Sequence, residues 1–271
     1  MPELPEVETT KRGITPHITN SAIVDLKIRQ PKLRWPIPRE LPGLLIGQEF
    51  QSIDRRGKYL LLNTRSGTLL IHLGMSGSLR VVPAETPPEK HDHVDIIFAN
   101  SSVLRLRDPR RFGAVLWCDG SPADHKLLSK LGVEPLSRQF TGKYLYEKAR
   151  KRKVVIKQFI MNSHIVVGVG NIYASEALFL SGIRPTLPAN KISQPRMDKL
   201  VTAIKSVLRK SIKKGGTSLR DFNRSDGKPG YFQQSLNVYG RKGEPCTQCG
   251  LPVKLIKQGQ RATYYCPHCQ K

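Results

Sequence analysis

Two groups of residues in this chain have the types and spacing to do chemistry, and they lie at its two ends. At the start, Met1-Pro2-Glu3 places a proline where removal of Met1 would leave a free secondary amine. Free α-amino groups titrate near about 7.7–8.0, so an unprotonated, nucleophilic fraction exists at neutral pH. Attack of such an amine on an aldehydic sugar carbon gives an iminium Schiff base, and Glu3 stands beside it as a proton donor and acceptor. At the other end, Cys246-x-x-Cys249 is followed after sixteen residues by Cys266-x-x-Cys269. That is the spacing of a four-cysteine zinc ribbon. Four thiolates fill a tetrahedral shell and leave no open position, so the zinc would be structural, and His268 is redundant as a ligand.

The rest of the chain must hold these groups against a partner, and the charge says what kind. Lys and Arg number 45 against 21 acidic residues, a net charge of +24 with a pI near 10.1. A polyanion is the expected partner, although a ribosomal-type protein or a basic solvated surface would share this balance. No apolar run approaches the roughly 20 residues that span a bilayer. The first residues also lack the charged and apolar regions of a signal peptide. Four of the five cysteines fall in the last 26 residues, which argues for a metal site in a reducing compartment. Cys118 is expected in the core. Together these features predict a soluble, cytoplasmic protein with no membrane segment.

The elements follow from periodicity. Pro5, Glu6 and Glu8 suit the start of a helix, and Lys11 and Arg12 precede an expected stop at Gly13. Short runs rich in branched and aromatic residues then occur at 22–29, 49–55, 58–64, 67–72, 78–82, 93–99, 102–107 and 112–118. Hairpin spacing without intervening helices predicts an antiparallel β-sandwich or barrel for residues 1–132, read as a sandwich. Its turns carry Lys58, a glycine-bracketed tip that would expose Met75, and Arg110-Arg111-Phe112 beside Asp108. In Lys90-His91-Asp92-His93 the alternating histidines are read as separate surface groups and not as a metal pair. Residues 133–236 read as helical. They include a basic run at 148–153 that could lie along phosphates, among them Arg152. Gly168 and Gly170 lie before Asn171, where exposed amides at a helix start make an anion site. Met197, Leu200, Val201, Ile204, Val207, Leu208 and Ile212 form the core stripe of a long helix beginning near Ser193. Residues 217–231 are too rich in turn formers for a helix. Residues 237–271 would form the zinc module, two strands joined by Gln258-Gly259-Gln260 with Arg261 at the tip. The fold class is therefore α+β.

Pro2-Glu3-Leu4-Pro5-Glu6-Val7-Glu8 resembles the opening of the bacterial formamidopyrimidine-DNA glycosylases. The string from Val166 to Glu176 is similar to that family's helix–two-turn–helix. The resemblance extends over essentially the whole chain. It implies a monomeric base-excision repair enzyme, both DNA glycosylase and abasic-site lyase, acting on 8-oxoguanine and formamidopyrimidines in damaged double-stranded DNA. By the same resemblance Pro2 is the nucleophile, Glu3 the acid/base and Lys58 a catalytic-site lysine, while Arg261 grips the phosphates beside the lesion. Met75, Arg110 and Phe112 would enter the base stack, with Arg110 facing the orphaned cytosine. His91, Arg152 and Asn171 would contact DNA, and the 217–231 loop would cover the everted base. One departure is Asn162, where the family pattern leads us to expect an acidic residue. Two rivals are an endonuclease VIII-like enzyme for oxidised pyrimidines and a non-catalytic zinc-ribbon binder. Leu4 and the set of Met75, Arg110 and Phe112 argue against the first.

Overall fold

The computed structural model describes residues 2–215 and 236–271, so the loop expected at 217–231 lies outside the described residues. The described chain forms two compact units, one of residues 2–129 with 214–215 and one of residues 130–213 with 236–271.

The first unit opens with α1 (Leu4–Ile18) and continues into eight strands: β1 (Ile23–Ile28), β2 (Ser52–Arg56), β3 (Tyr59–Asn63), β4 (Thr68–His72), β5 (Ser78–Pro83), β6 (Asp92–Phe98), β7 (Ser102–Arg107) and β8 (Ala114–Cys118). A short helix, α2 (Leu41–Leu45), not anticipated from the sequence, lies between β1 and β2. The strands form two four-stranded antiparallel sheets, ordered β1-β6-β7-β5 and β2-β3-β4-β8. One apolar core takes side chains from both, including Leu60, Leu62, Leu69 and Ile71 from one sheet and Leu79, Val94, Ile96, Leu104 and Leu106 from the other. This is the expected sandwich, and Cys118 is buried in it.

Helix α1 corrects one expectation, because it does not stop at Gly13. Ile14 and Ile18 are fully buried and continue the face begun by Leu4 and Val7. Burying each such side chain stabilises by about 1.5–3 kcal/mol, which outweighs a glycine cost of about 1 kcal/mol. The helix even passes through Pro16.

The second unit holds α3 (Gly142–Ala149), α4 (Ile156–Met161), α5 (Asn171–Leu180), α6 (Gln194–Lys213) and the hairpin β9 (Lys254–Gln258) with β10 (Arg261–Tyr265). The α6 stripe runs as expected except at its end, where Ser211 and not Ile212 is the fully buried residue. The Ser211 hydroxyl is satisfied by Tyr173 Oη at 2.6 Å, so a polar side chain can take the inward position. No helix among the described residues is long and apolar enough to cross a membrane.

Candidate active site and nucleic-acid interface

Pro2 and Glu3 are buried at the head of α1. Glu3 occupies the N-cap, and its backbone N–H donates to the Glu6 carboxylate at 2.8 Å. The Val7 N–H donates to the Glu3 carbonyl at 3.1 Å. Pro2 and Glu3 therefore stand at the head of a helix whose buried face packs into the sandwich. Five residues on, Glu8 binds two arginines: Arg12 Nε at 3.0 Å on α1 and Arg55 Nε at 2.9 Å on β2. Partial burial pushes the Glu8 carboxyl up, but the bonds from Arg55 and Arg12 outweigh it and hold the group below the usual range. Arg55 also donates to the Gly57 carbonyl at 2.9 Å. Gly57 and Lys58 form the two-residue turn joining β2 to β3, with Gly57 at φ +59°. Glu8 thus tethers the Lys58 turn to the helix that carries Pro2 and Glu3, a link between distant residues with no local signal in the sequence.

Across the sheet from Lys58, Tyr59 pairs with His72, their rings 4.8 Å apart. Desolvation, with the charges of Lys58 and Arg34 nearby, lowers His72 to about 4. The neutral ring accepts the Gly74 N–H at Nδ1 over 3.0 Å, so Nε2 carries its proton. His72 was not singled out from the sequence, although it immediately precedes the glycine-bracketed tip.

That tip places Met75 half-buried rather than fully exposed. The reason is close backbone packing. Gly74, at φ +65°, lies against residues 112 and 113, where an added Cβ would come within 2.4 Å of the Gly113 nitrogen. The Met75 turn and the Arg110–Phe112 turn are consequently neighbours. Phe112 is 47% exposed, and the exposed Arg110 guanidinium stacks on its ring at 4.9 Å. His91 is half-buried at φ +77°, and its carbonyl accepts the Asp108 N–H at 3.0 Å. The first unit therefore gathers Met75, His91, Arg110 and Phe112 around Asp108.

In the second unit Asn171 begins α5, as expected, and its Nδ2 donates to the Ala262 carbonyl on β10 at 3.0 Å. Lys157 is almost fully buried and donates to the same carbonyl at 3.0 Å and to Thr263 Oγ1 at 2.8 Å. These bonds set Arg261, which is exposed, beside Asn171. Arg261 begins β10, paired with Gln258, and the turn itself is Gly259-Gln260, both at positive φ, the geometry of a tight hairpin. Arg152 is exposed on the basic run after α3. At the departure from the family pattern, Asn162 Oδ1 accepts the His164 N–H at 2.9 Å, so an amide oxygen serves as the turn's acceptor.

The four cysteine sulfurs all lie within 4.8 Å of one another, with contacts of 3.5 Å between Cys249 and Cys266 and 3.9 Å between Cys246 and Cys269. Zn–S bonds of about 2.3 Å in a tetrahedron require sulfur separations of about 3.8 Å. The donor set fits one zinc ion. Burial raises the Cys246 thiol, but the backbone N–H groups of Gln248 and Cys249 bring it down to about 7, whereas burial and the neighbouring thiols push Cys269 up.

A formamidopyrimidine-DNA glycosylase of Syntrophotalea carbinolica is 55% identical over 271 residues, all of both chains. Another from Cellvibrio japonicus is 58% identical over the same span. The chain belongs to the formamidopyrimidine-DNA glycosylase family. Three family models tile it: the glycosylase N-terminal domain over residues 1–115, the glycosylase H2TH domain over 131–223, and the zinc finger found in FPG and IleRS over 243–271. The glycosylase structure from Thermus thermophilus superposes with a TM-score of 0.89 at 33% identity, covering 99% of this chain and 98% of that one. A Lactococcus lactis Fpg mutant, solved with a Fapy-dG containing DNA, gives 0.93 at 35% identity with both chains fully covered. The helical segments of the second unit are thus the glycosylase H2TH domain, and the cysteine tetrad is the site of one structural zinc.

Proposed function

We infer that this glycosylase removes oxidised purines, 8-oxoguanine and formamidopyrimidines, from double-stranded DNA in base excision repair and then cleaves the strand. The observation that carries the reading is Pro2-Glu3 buried at the head of α1, in a chain matching named formamidopyrimidine-DNA glycosylases over its full length. With Met1 removed, the Pro2 nitrogen attacks C1′ of the extruded nucleotide, forming the C–N bond as the glycosidic bond breaks; the base leaves with that bond's electron pair and takes up the proton released from the Pro2 nitrogen. Glu3 delivers a proton to the sugar ring oxygen as the ring opens to the iminium. The iminium acidifies the C2′ proton. Its loss expels the 3′ phosphate, and a second elimination expels the 5′ phosphate. Lys58, on the turn tethered through Arg55 and Glu8, steadies a phosphate during these steps.

Met75, Arg110 and Phe112 fill the vacated stack, with Arg110 reading the orphaned base, in the manner of enzymes that flip a base. Phe112 supports this role by keeping a large apolar ring exposed beneath a guanidinium. His91, Arg152, Asn171 and Arg261 contact the DNA backbone. The zinc, with four protein ligands, holds the hairpin that presents Arg261. We assign residues 1–132 to catalysis, 133–236 to helical DNA binding and 237–271 to the zinc finger, and place the enzyme in the cytoplasm as a monomer. The test is strand cleavage of duplexes carrying either 8-oxoguanine or an oxidised pyrimidine. Preferential cleavage of the first is expected. Preference for the pyrimidine, or binding without cleavage, would overturn the reading.

A further inference from the structure

We propose that Asp108 is the positioning residue that sets Met75, His91, Arg110 and Phe112 as one unit. The inference rests on the assignment of those four residues to DNA. Asp108 is 0% exposed, and every polar group it has is used. Its Oδ1 accepts the Ser76 hydroxyl at 3.1 Å, next to Met75. Its Oδ2 accepts the Gly113 N–H at 2.7 Å, next to Phe112. Its N–H donates to the His91 carbonyl at 3.0 Å, and its carbonyl accepts from the Arg111 N–H at 3.1 Å and from His93 Nε2 at 2.9 Å. Ser76 Oγ in turn accepts the Arg110 N–H at 3.3 Å.

The buried carboxylate therefore ties the Met75 turn to the Arg110–Phe112 turn, and the Asp108 backbone N–H adds the segment at His91. Gly113 completes the fit, since a Cβ there would lie 2.9 Å from Asp108 Oδ2 and 2.8 Å from the His72 carbonyl. None of these bonds reaches Pro2 or Glu3. Loosening Asp108 should therefore impair insertion into the stack and the reading of the opposite base, while the chemistry of an exposed sugar continues. This separates a positioning role from general damage to the fold.

The experiment compares wild type with Asp108→Asn, which keeps the size and one acceptor oxygen but loses the charge and the second acceptor. Three readouts are taken: excision of 8-oxoguanine from duplexes with each opposite base, lyase cleavage of a single-stranded abasic oligonucleotide, and fluorescence of 2-aminopurine beside a stable abasic analogue in duplex. The rise in fluorescence marks unstacking by the inserted residues. Asp108→Asn is expected to lower the ratio of duplex excision to single-strand lyase activity by on the order of tenfold to a hundredfold, the worth of a hydrogen bond or two to a charged group. Discrimination among opposite bases should flatten, and the fluorescence rise should shrink. Ser76→Ala, which removes the bonds to Asp108 Oδ1 and from the Arg110 N–H but leaves the Gly113 tie, should move all three in the same direction, and it decides the matter if Asp108→Asn does not fold. Parallel loss of both activities, an unchanged ratio or a full fluorescence rise would each overturn the proposal. If wild type failed to excise 8-oxoguanine, the functional reading would fall, while the fluorescence arm would still judge Asp108.

Discussion

Among the amino acids, proline alone has a secondary α-amine, and this shapes what Pro2 can do. An iminium formed on it has no N–H to lose, so it cannot be neutralised by deprotonation at nitrogen and remains an electron sink for elimination. Glu3→Gln keeps the shape of its neighbour but removes the transferable proton; excision should drop by about 10²–10⁴-fold while DNA binding holds. Single-turnover excision and a binding titration check this, and near wild-type excision would contradict the role. Arg110→Ala should weaken discrimination among bases opposite the lesion more than non-specific affinity, because an arginine facing a base edge reads sequence and a phosphate contact does not. An equal fall for every opposite base would make Arg110 a backbone contact only. Pro2 and Glu3 could be singled out in the sequence because the chemistry proposed for them depends on chain position. The residues that hold the site were not, since Glu8 meets Arg55 across 47 residues and Ser76 meets Asp108 across 32. No local pattern encodes such pairs.

At the scale of elements, strand positions could be read from alternation and hairpin spacing, and they differ from the structure mainly at their ends. The end of α1 could not, because the burial of Ile14 and Ile18 is a tertiary fact that overrides Gly13. The sandwich should also respond to acid. His72, lowered to about 4 from an ordinary 6.5, is neutral in the fold while the unfolded chain is protonated, so stability is complete above 6.5 and declines as pH falls toward 4. Asp95 acts in the same direction at lower pH. Burial raises its carboxyl, but bonds from Arg105 and Arg29 outweigh this and lower it, so its contribution is lost as pH falls through the carboxylate range. His72→Gln should flatten the upper part of this decline in urea midpoints measured between pH 7 and 4. An unchanged slope would show that His72 does not titrate with unfolding. In the zinc finger, Cys249→Ser should release the metal and abolish specific binding, since thiolate ligation supplies much of the folding free energy of so small a module. Arg261→Ala should keep zinc and reduce the salt slope of binding by about one unit. Zinc content and salt titrations on both variants decide whether metal, hairpin and phosphate are linked.

For the whole molecule, the net charge of +24 points to a polyanion, and each compact unit carries part of the set proposed to meet DNA. One carries Lys58, His91 and Arg110, the other Arg152, Asn171 and Arg261. Charge alone could not distinguish an enzyme from a passive binder; on the proposed reading the distinction rests on Pro2 and Glu3 at the head of one helix. The most direct measurement is therefore covalent. The protein is incubated with a duplex containing 8-oxoguanine in the presence of borohydride, which reduces a Schiff base to a stable amine, and the crosslinked peptide is sequenced. The account predicts a crosslink on Pro2 of a chain lacking Met1. A crosslink on Lys58 or any other lysine, or none while excision proceeds, would contradict it.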